Sequence, residues 1–283
     1  MSSSEAYILN EIQTPNALNI VYESISDGNT TEEDIEADTC LPEGSLSEVL
    51  SGLVLLGLVR RTDYEYEAVG LDWDTGDAKR DFRLTALSNL AEEATPGNWG
   101  KQAVVILNYE YLITENIREF ENNEAALYES IDNWLKRNTD YRPKSGGTLY
   151  DHNDPKFGNW TRLMYFLGLV HKISGRQYSV YPDPEMILAS IERAAESSKL
   201  DSSDGADIEI REYMEWMNEH LLRIGYEDGM SVPAVLARTL FTLIRADRIK
   251  LIEYGDSGAV PLDQLSADAH RGIDKEANSI KIL

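Results

Sequence analysis

One phrase recurs along the chain and restricts how it can fold: an apolar helical stretch, then Leu-Gly-Leu-Val, then a strand-like stretch. Two copies lie at 54–59 and 165–170, and 241–251 is a third copy that lacks the glycine. A glycine here lets the helix end in a left-handed residue, and the apolar pair beyond it can begin a strand on the same core. Each copy therefore predicts a helix followed closely by a small hairpin.

Apolar periodicity and turn residues around the first copy predict three helices, a hairpin and a closing helix. The predicted helices cover about 17–25, a short stretch after Thr30 or Thr31, and 45–57, where Ser45 and Glu48 have the spacing of a capping box. The predicted strands are 64–73 and 82–85, and the closing helix is 86–94.

The remaining chain repeats this pattern less completely. Residues 101–120 predict a connecting helix, 124–137 and 156–167 two further helices, 177–181 a strand, and residues from about 185 another helix. Beyond a linker at 200–205, the pattern predicts helices at 208–224 and 232–246 and a hairpin of 249–253 with 259–262.

This order of elements resembles the winged-helix superfamily. The resemblance lies in the repeated helix, glycine and strand phrase, covers about two thirds of the chain and includes no family-specific signature. It implies a mainly α fold with small β wings (α+β), in tandem winged-helix-like units joined by helices. The predicted boundaries are 1–98 for the first unit, 99–122 for a connecting helix, 123–199 for the second unit and 200–283 for the third. A fold pattern alone says little about function.

The charge balance indicates the salt conditions in which the protein works. The chain has 50 acidic and 26 basic residues, a net charge of −24. Acids spread along the whole chain favour adaptation to a salt-rich cytoplasm, where screening removes self-repulsion. The alternative is an acidic mimic of nucleic acid or a partner of a basic protein. No secretory signal and no long apolar run are present, so we expect a cytoplasmic protein without a membrane segment.

Residues 136–176 depart from this balance, with eight basic and only three acidic residues and several aromatic ones. Basic side chains are what contact with phosphates requires. In a winged helix, the outer face of the helix at 156–167 would enter the major groove and the hairpin would flank it. The predicted contacts to double-stranded DNA are Lys144, Lys156, Asn159, Arg162, Lys172 and Arg176. A neutral interface with another protein, or no role, are the alternatives.

The helix at 45–57 predicts a different contact. It contains neither Lys nor Arg, and its apolar positions exceed one narrow stripe. Either it is deeply buried, or part of it contacts a protein partner or a second copy of the chain. In the third unit, Arg238, Arg245 and Arg248 form a basic edge or pair with local acids.

The sequence lacks motifs for known chemistry. It has no phosphate-binding loop, dinucleotide fingerprint or nucleophile elbow, and no two histidines have helical metal-ligand spacing. The run 151–154 is interpreted as a solvated, turn-forming loop. We therefore expect no catalytic residue, metal or cofactor, and a regulator or subunit of a DNA-handling complex. The alternatives are a protein–protein scaffold and an enzyme with dispersed carboxylates.

Overall fold

The computed structural model describes residues 6–143, 150–198, 207–225, 231–253, 259–262 and 276–283. The helices are α1 (Ile8–Glu11), a 3-10 turn (Pro15–Ala17), α2 (Leu18–Ser26), α3 (Glu32–Thr39), α4 (Glu43–Leu55), α5 (Ala78–Glu93), α6 (Ala103–Thr114), α7 (Ala125–Asn138), α8 (Asp154–Phe166), α9 (Pro184–Ser198), α10 (Ile210–His220) and α11 (Ala234–Arg245). The strands are β1 (Val59–Thr62), β2 (Glu65–Ala68), β3 (Glu119–Glu121), β4 (Val170–Ser174), β5 (Gln177–Val180), β6 (Asp207–Glu209), β7 (Ile249–Ile252), β8 (Val260–Pro261), β9 (Glu276–Ala277) and β10 (Ser279–Ile282).

The chain divides into two compact units, each of them discontinuous in sequence. Unit 1 comprises residues 1–108 and 121–167, and unit 2 comprises 109–120 and 168–283. The predicted boundaries at 98, 122 and 199 do not coincide with this division, and the tandem three-unit organisation stays a prediction. The coarser expectation is met, because the described chain is an α+β fold in which helices predominate and the sheets are small.

Unit 1 contains the predicted order of three helices, a hairpin and a closing helix, as α2, α3, α4, β1–β2 and α5. Helix α2 packs against α3 and α4, and α1 packs against α4 and α8. The core contains the fully buried side chains of Leu18, Leu53, Phe82 and Trp160. The indole of Trp160 donates a hydrogen bond to the carbonyl of Val105, at 3.0 Å, so that its polar atom is satisfied inside the core.

Unit 2 is built around small sheets. The order β3-β5-β4 forms one sheet and β6-β10-β7 forms another, with antiparallel pairing of β4 with β5 and of β10 with both β6 and β7. Helix α9 packs against α10 and α11; α9 and α10 also contact β6, and α11 contacts β7. The hydroxyl of the buried Tyr109 donates to the carbonyl of Leu169, at 3.1 Å.

The predicted helix ends after the repeated phrase are confirmed. Gly57 and Gly168 have φ of 70° and 78°. Asp247 has φ of 53° in the third copy, so an aspartate takes the left-handed position that glycine takes in the other two. The amide of Leu58 donates to the carbonyl of Leu53, and that of Arg248 donates to Leu243, both at 3.0 Å. These bonds close the two helices in the same way.

Several predicted elements are wrong. Residues 82–85 are helical, because α5 begins at Ala78, where the side chain of Asp77 accepts from the amide of Arg80. The connecting helix ends at Thr114, not near 120. Strand β7 pairs with β10 and not with residues 259–262. The predicted turn at 255–258 lies outside the described residues.

The predicted capping box is also wrong. Helix α4 begins at Glu43, two residues before Ser45. Glu48 instead accepts from the backbone amides of Gln13 and Thr14, the latter at 2.8 Å, and so fastens the N-terminal segment to α4.

Candidate nucleic-acid interface

Helix α8 presents only part of the outward face that the sequence predicted, since Arg162 and Tyr165 are exposed. Gly158, Asn159 and Thr161 are buried. Helix α1 packs against α8, and Asn122 and Asn123 lie beside Gly158. The Nδ2 atom of Asn159 donates to the carbonyl of Leu9 at 2.9 Å. The prediction that Asn159 faces a DNA groove is therefore wrong, since its amide serves the packing of unit 1.

The two remaining predicted cations on α8 differ in their availability. Arg162 is exposed, and its Nη2 donates to Oδ1 of Asn159. Lys156 is half-buried; its Nζ donates to the carbonyl of Asp151 at 2.8 Å and lies 4.9 Å from the ring centre of Tyr150. These local contacts leave Lys156 less free for phosphate than Arg162. Lys144 lies outside the described residues.

The hairpin β4–β5 carries the other two predicted cations. Lys172 and Arg176 are both exposed, and Lys172 stands opposite Tyr178 in the strand register. Ile173, between them, is 50% exposed, an unusual position for a large apolar side chain. Within the described ranges neither cation has an ion pair with a carboxylate.

The hairpin β1–β2 has the same architecture and a different charge. Its Arg60 and Arg61 are exposed, but acidic residues stand at Asp63, Glu65 and Glu67. Arg61 also lies 3.9 Å from the carboxylate of Glu32. The two hairpins can therefore be compared directly: β4–β5 is basic, whereas in β1–β2 acidic residues offset the charge of the arginines.

The basic edge expected in the third predicted unit is partly neutralised. Arg248 forms an ion pair with Glu185 at 2.9 Å, and Arg245 lies over the ring of Phe241 at 5.6 Å. Arg238 is half-buried on α11 and has Arg118 as a charged neighbour. Arg118 was not among the predicted site residues, because it stands alone between acidic residues and only the fold brings it near α11.

Most apolar side chains of helix α4 are buried in the core, which agrees with the alternative that the helix is deeply buried. The side chain of Ile12 packs so closely on Gly52 that a Cβ there would lie 2.7 Å from it. Val54 and Leu55 remain half-exposed and line an open groove of about 550 Å³ with Trp99, Glu92 and Glu93. The groove is thus lined by both apolar and acidic side chains.

The run 151–154 is only partly the solvated loop that the sequence predicted. Asn153 caps α8, since its side chain accepts from the amide of Lys156 at 3.1 Å. His152, however, is buried; its Nδ1 lies 2.5 Å from Asp132 and its Nε2 lies 2.8 Å from Nδ2 of Asn108. Both ring nitrogens are thus occupied, and the histidine fixes the packing of α6 against α7 and the start of α8.

The described ranges contain no candidate metal site and no candidate membrane span. No group of three or more His, Cys, Asp or Glu side chains there is placed to hold a metal ion. No helix in these ranges has the length and apolarity needed to cross a bilayer.

Neither a family model nor a curated protein matches the chain. Among solved structures, the chain is similar to one titled "Magnesium ion-bound SspB crystal structure". The sequence identity is 10% and the TM-score 0.45, with 99% of this chain and 85% of that chain covered. A likeness this distant assigns neither a fold family nor a function.

Proposed function

We propose that this chain is a non-enzymatic DNA-binding protein that contacts the phosphates of duplex DNA through the β4–β5 hairpin. The observation that carries the proposal is the exposure of Lys172 and Arg176, neither of which has an ion pair with a carboxylate of the described residues, in a chain with a net charge of −24. In an acidic chain, two such cations on one hairpin favour an anionic partner.

The hairpin then acts as a wing that contacts the DNA backbone. Base recognition by Asn159 is not part of the proposal, because its amide is bonded to Leu9. Exposed cations on a hairpin contact phosphate and give little sequence discrimination. The expected binding therefore depends strongly on salt and weakly on sequence.

The test is fluorescence anisotropy with a labelled duplex at several salt concentrations. Each neutralised phosphate contributes a slope of about −0.9 to log K against log salt, so Lys172→Gln with Arg176→Gln should flatten the slope by about 1.8. The matched control is Arg60→Gln with Arg61→Gln on the β1–β2 hairpin, which should leave the slope unchanged. No binding by the wild type at low salt would remove the DNA proposal and favour the scaffold.

The groove beside α4 supports a second function, the binding of a protein partner. Its lining contains the apolar side chains of Leu55 and Trp99 and the carboxylates of Glu92 and Glu93. This combination suits a basic peptide segment that carries an apolar side chain. Leu55→Asp and Glu92→Lys should each weaken binding of a labelled Lys- and Leu-containing peptide. Glu33→Lys, at an exposed site on α3, is the control of equal charge change. If the groove instead pairs two copies of the chain, light scattering will show a dimer that Leu55→Asp dissociates.

A further inference from the structure

The hairpin β4–β5 contains one residue more on its first strand than on its second, and that residue is Ile173. Lys172 pairs with Tyr178. The next pair is Ser174 with Gln177, so Ile173 has no residue opposite it in the register. An extra residue of this kind is a β-bulge, which interrupts the ladder, bends the strand and can change the direction of a side chain.

The hairpin β1–β2 lacks the extra residue. Its register runs without a shift over the four pairs from Val59 to Thr62. Both hairpins follow the same Leu-Gly-Leu-Val phrase, and in both a tyrosine of the second strand stands opposite a basic residue of the first. The stretch from Gly168 to Tyr178 is nevertheless one residue longer than that from Gly57 to Tyr66. The bulge is therefore an addition to a hairpin pattern that the chain uses twice.

The bulged side chain is apolar, exposed and close in sequence to two cations. Ile173 is 50% exposed. Lys172 precedes it in β4 and Arg176 follows in the turn, and both are exposed. Neither cation forms an ion pair with a carboxylate in the part of the chain that the structure describes. The end of the hairpin thus presents one large aliphatic side chain together with two positive charges.

We propose that Ile173 inserts between two stacked base pairs of duplex DNA from the minor groove, while Lys172 and Arg176 bind phosphates of the adjoining backbone. This inference rests on the proposed function and adds to the phosphate contacts a wedge that deforms the duplex. Apolar side chains that enter a base step from the minor groove partly unstack it and bend the helix. The cations supply the charge complementarity that holds the hairpin on the backbone.

The small extent of the exposed apolar surface favours DNA over a lipid surface. Binding at a lipid interface increases with the buried apolar area, and elements that bind there present a whole apolar face. The other large apolar side chains of the hairpin, Val170, Tyr178 and Val180, are buried, which leaves Ile173 alone. One such side chain suits a single base step, which admits an individual apolar wedge.

The wedge predicts a modest sequence preference without a base-specific hydrogen bond. Pyrimidine–purine steps such as TA unstack easily, whereas A-tracts are stiff. A duplex with a central TA step should therefore bind more tightly than an A-tract duplex of the same length and base composition. Ile173→Ala should remove the difference.

The test uses the full chain and a duplex in which 2-aminopurine replaces the adenine of a central TA step. The fluorescence of this base rises when it is unstacked. The wild type should raise the fluorescence and Ile173→Ala should not. Ile173→Ala should also bind the duplex about fivefold more weakly, the factor expected when half of an isoleucine side chain is no longer buried. Its salt slope should equal that of the wild type, because both cations remain.

Two further variants show whether the effect belongs to the position and to its apolar volume. Ile20→Ala makes the same change at a side chain on α2 that is 53% exposed, and it should behave as the wild type. Ile173→Leu keeps an aliphatic side chain of equal size, and it should retain both the affinity and the rise in fluorescence.

The outcomes separate this proposal from the proposed function. Duplex binding that depends on Lys172 and Arg176, but neither raises the fluorescence nor responds to Ile173→Ala, would leave the phosphate contacts in place and overturn the wedge. No duplex binding by the wild type at low salt overturns both. Vesicles of phosphatidylglycerol test the lipid alternative: vesicle binding that Ile173→Ala abolishes, with duplex binding unchanged, also overturns the wedge.

Discussion

The ion pair between Glu110 and Arg223 should be the most costly single contact to break in unit 2. Glu110 is 6% exposed, and its carboxylate accepts from Nε of Arg223 at 2.7 Å and from Nη2 at 3.1 Å. Arg223→Met would leave this carboxylate buried without its partner. Removing one member of a buried pair costs about 3–5 kcal/mol. Because the Arg223 side chain is 23% exposed, water can reach the vacated space, and we expect a cost near the lower value, about 3 kcal/mol.

A double-mutant cycle separates the pair from its surroundings. Glu110→Leu, Arg223→Met and the double variant are compared by urea unfolding followed by far-UV circular dichroism. The double variant should lose less stability than the sum of the single ones, with a coupling of about 2 kcal/mol. The exposed pair of Arg248 and Glu185 is the control, and Arg248→Met should cost under about 1 kcal/mol.

Salt provides the decisive comparison. Screening weakens interactions between exposed charges much more than those between buried ones. The coupling of Glu110 with Arg223 should therefore persist in molar KCl, while that of Arg248 with Glu185 should vanish. A cost for Arg223→Met no larger than for Arg248→Met, or a coupling lost at high salt, would refute the argument from burial.

Three further outcomes are expected. If the 50 acidic residues reflect adaptation to salt, helical circular dichroism should rise as KCl is increased from about 0.1 to about 3 M, and full folding at low salt would contradict this. Asp132→Asn removes the charged partner of the buried His152 and should lower the free energy of unfolding by about 1–3 kcal/mol, whereas Asp151→Asn, at an exposed site, should not. Burial, and then the hydrogen bond and charge of Glu32, raise the pKa of Tyr66 to about 12, while a tyrosine in the unfolded chain ionises near 10. The stability from the neutral Tyr66 is complete below pH 10 and lost as the pH rises to about 12, so the urea midpoint should fall more over that window in the wild type than in Tyr66→Phe. Equal falls in the two proteins would be inconsistent with this assignment.

Local features of the fold could be predicted from the sequence, because they depend on neighbouring residues. Gly57 and Gly168 marked helix ends, and periodicity located α7 and α8. Helix α5 was missed at its start, although Asp77 followed by good helix formers was a usable signal. The pairing of β7 with β10 could not be predicted, since strand periodicity shows a face and not a partner, and these strands are separated by residues 253–278.

The candidate site likewise contains residues whose exposure follows from local structure and residues whose contacts depend on tertiary structure. Lys172 lies in strand β4 and Arg176 in the turn that follows, and both are exposed, as the local pattern of a hairpin predicts. Asn159 looked exposed because polar residues on one side of a helix usually meet water. Its hydrogen-bond partner, Leu9, is 150 residues away in the sequence, and no local pattern predicts a contact over that separation. Arg118 and Arg238 also meet only through tertiary structure.

The bond between Leu9 and Asn159 has a consequence for synthesis of the chain. Ile8, Leu9 and Ile12 are buried in the finished unit 1, against helices that include α8. Translation proceeds at about 5–20 residues per second, so the 150 residues from Leu9 to Asn159 take about 8–30 s to make. During this time the apolar N-terminal turn lacks one of its packing partners on the ribosome. Residues 109–120, which belong to unit 2, leave the ribosome before residues 121–167, which complete unit 1. The core of unit 1 therefore begins to form first but cannot be completed until part of unit 2 has been synthesised.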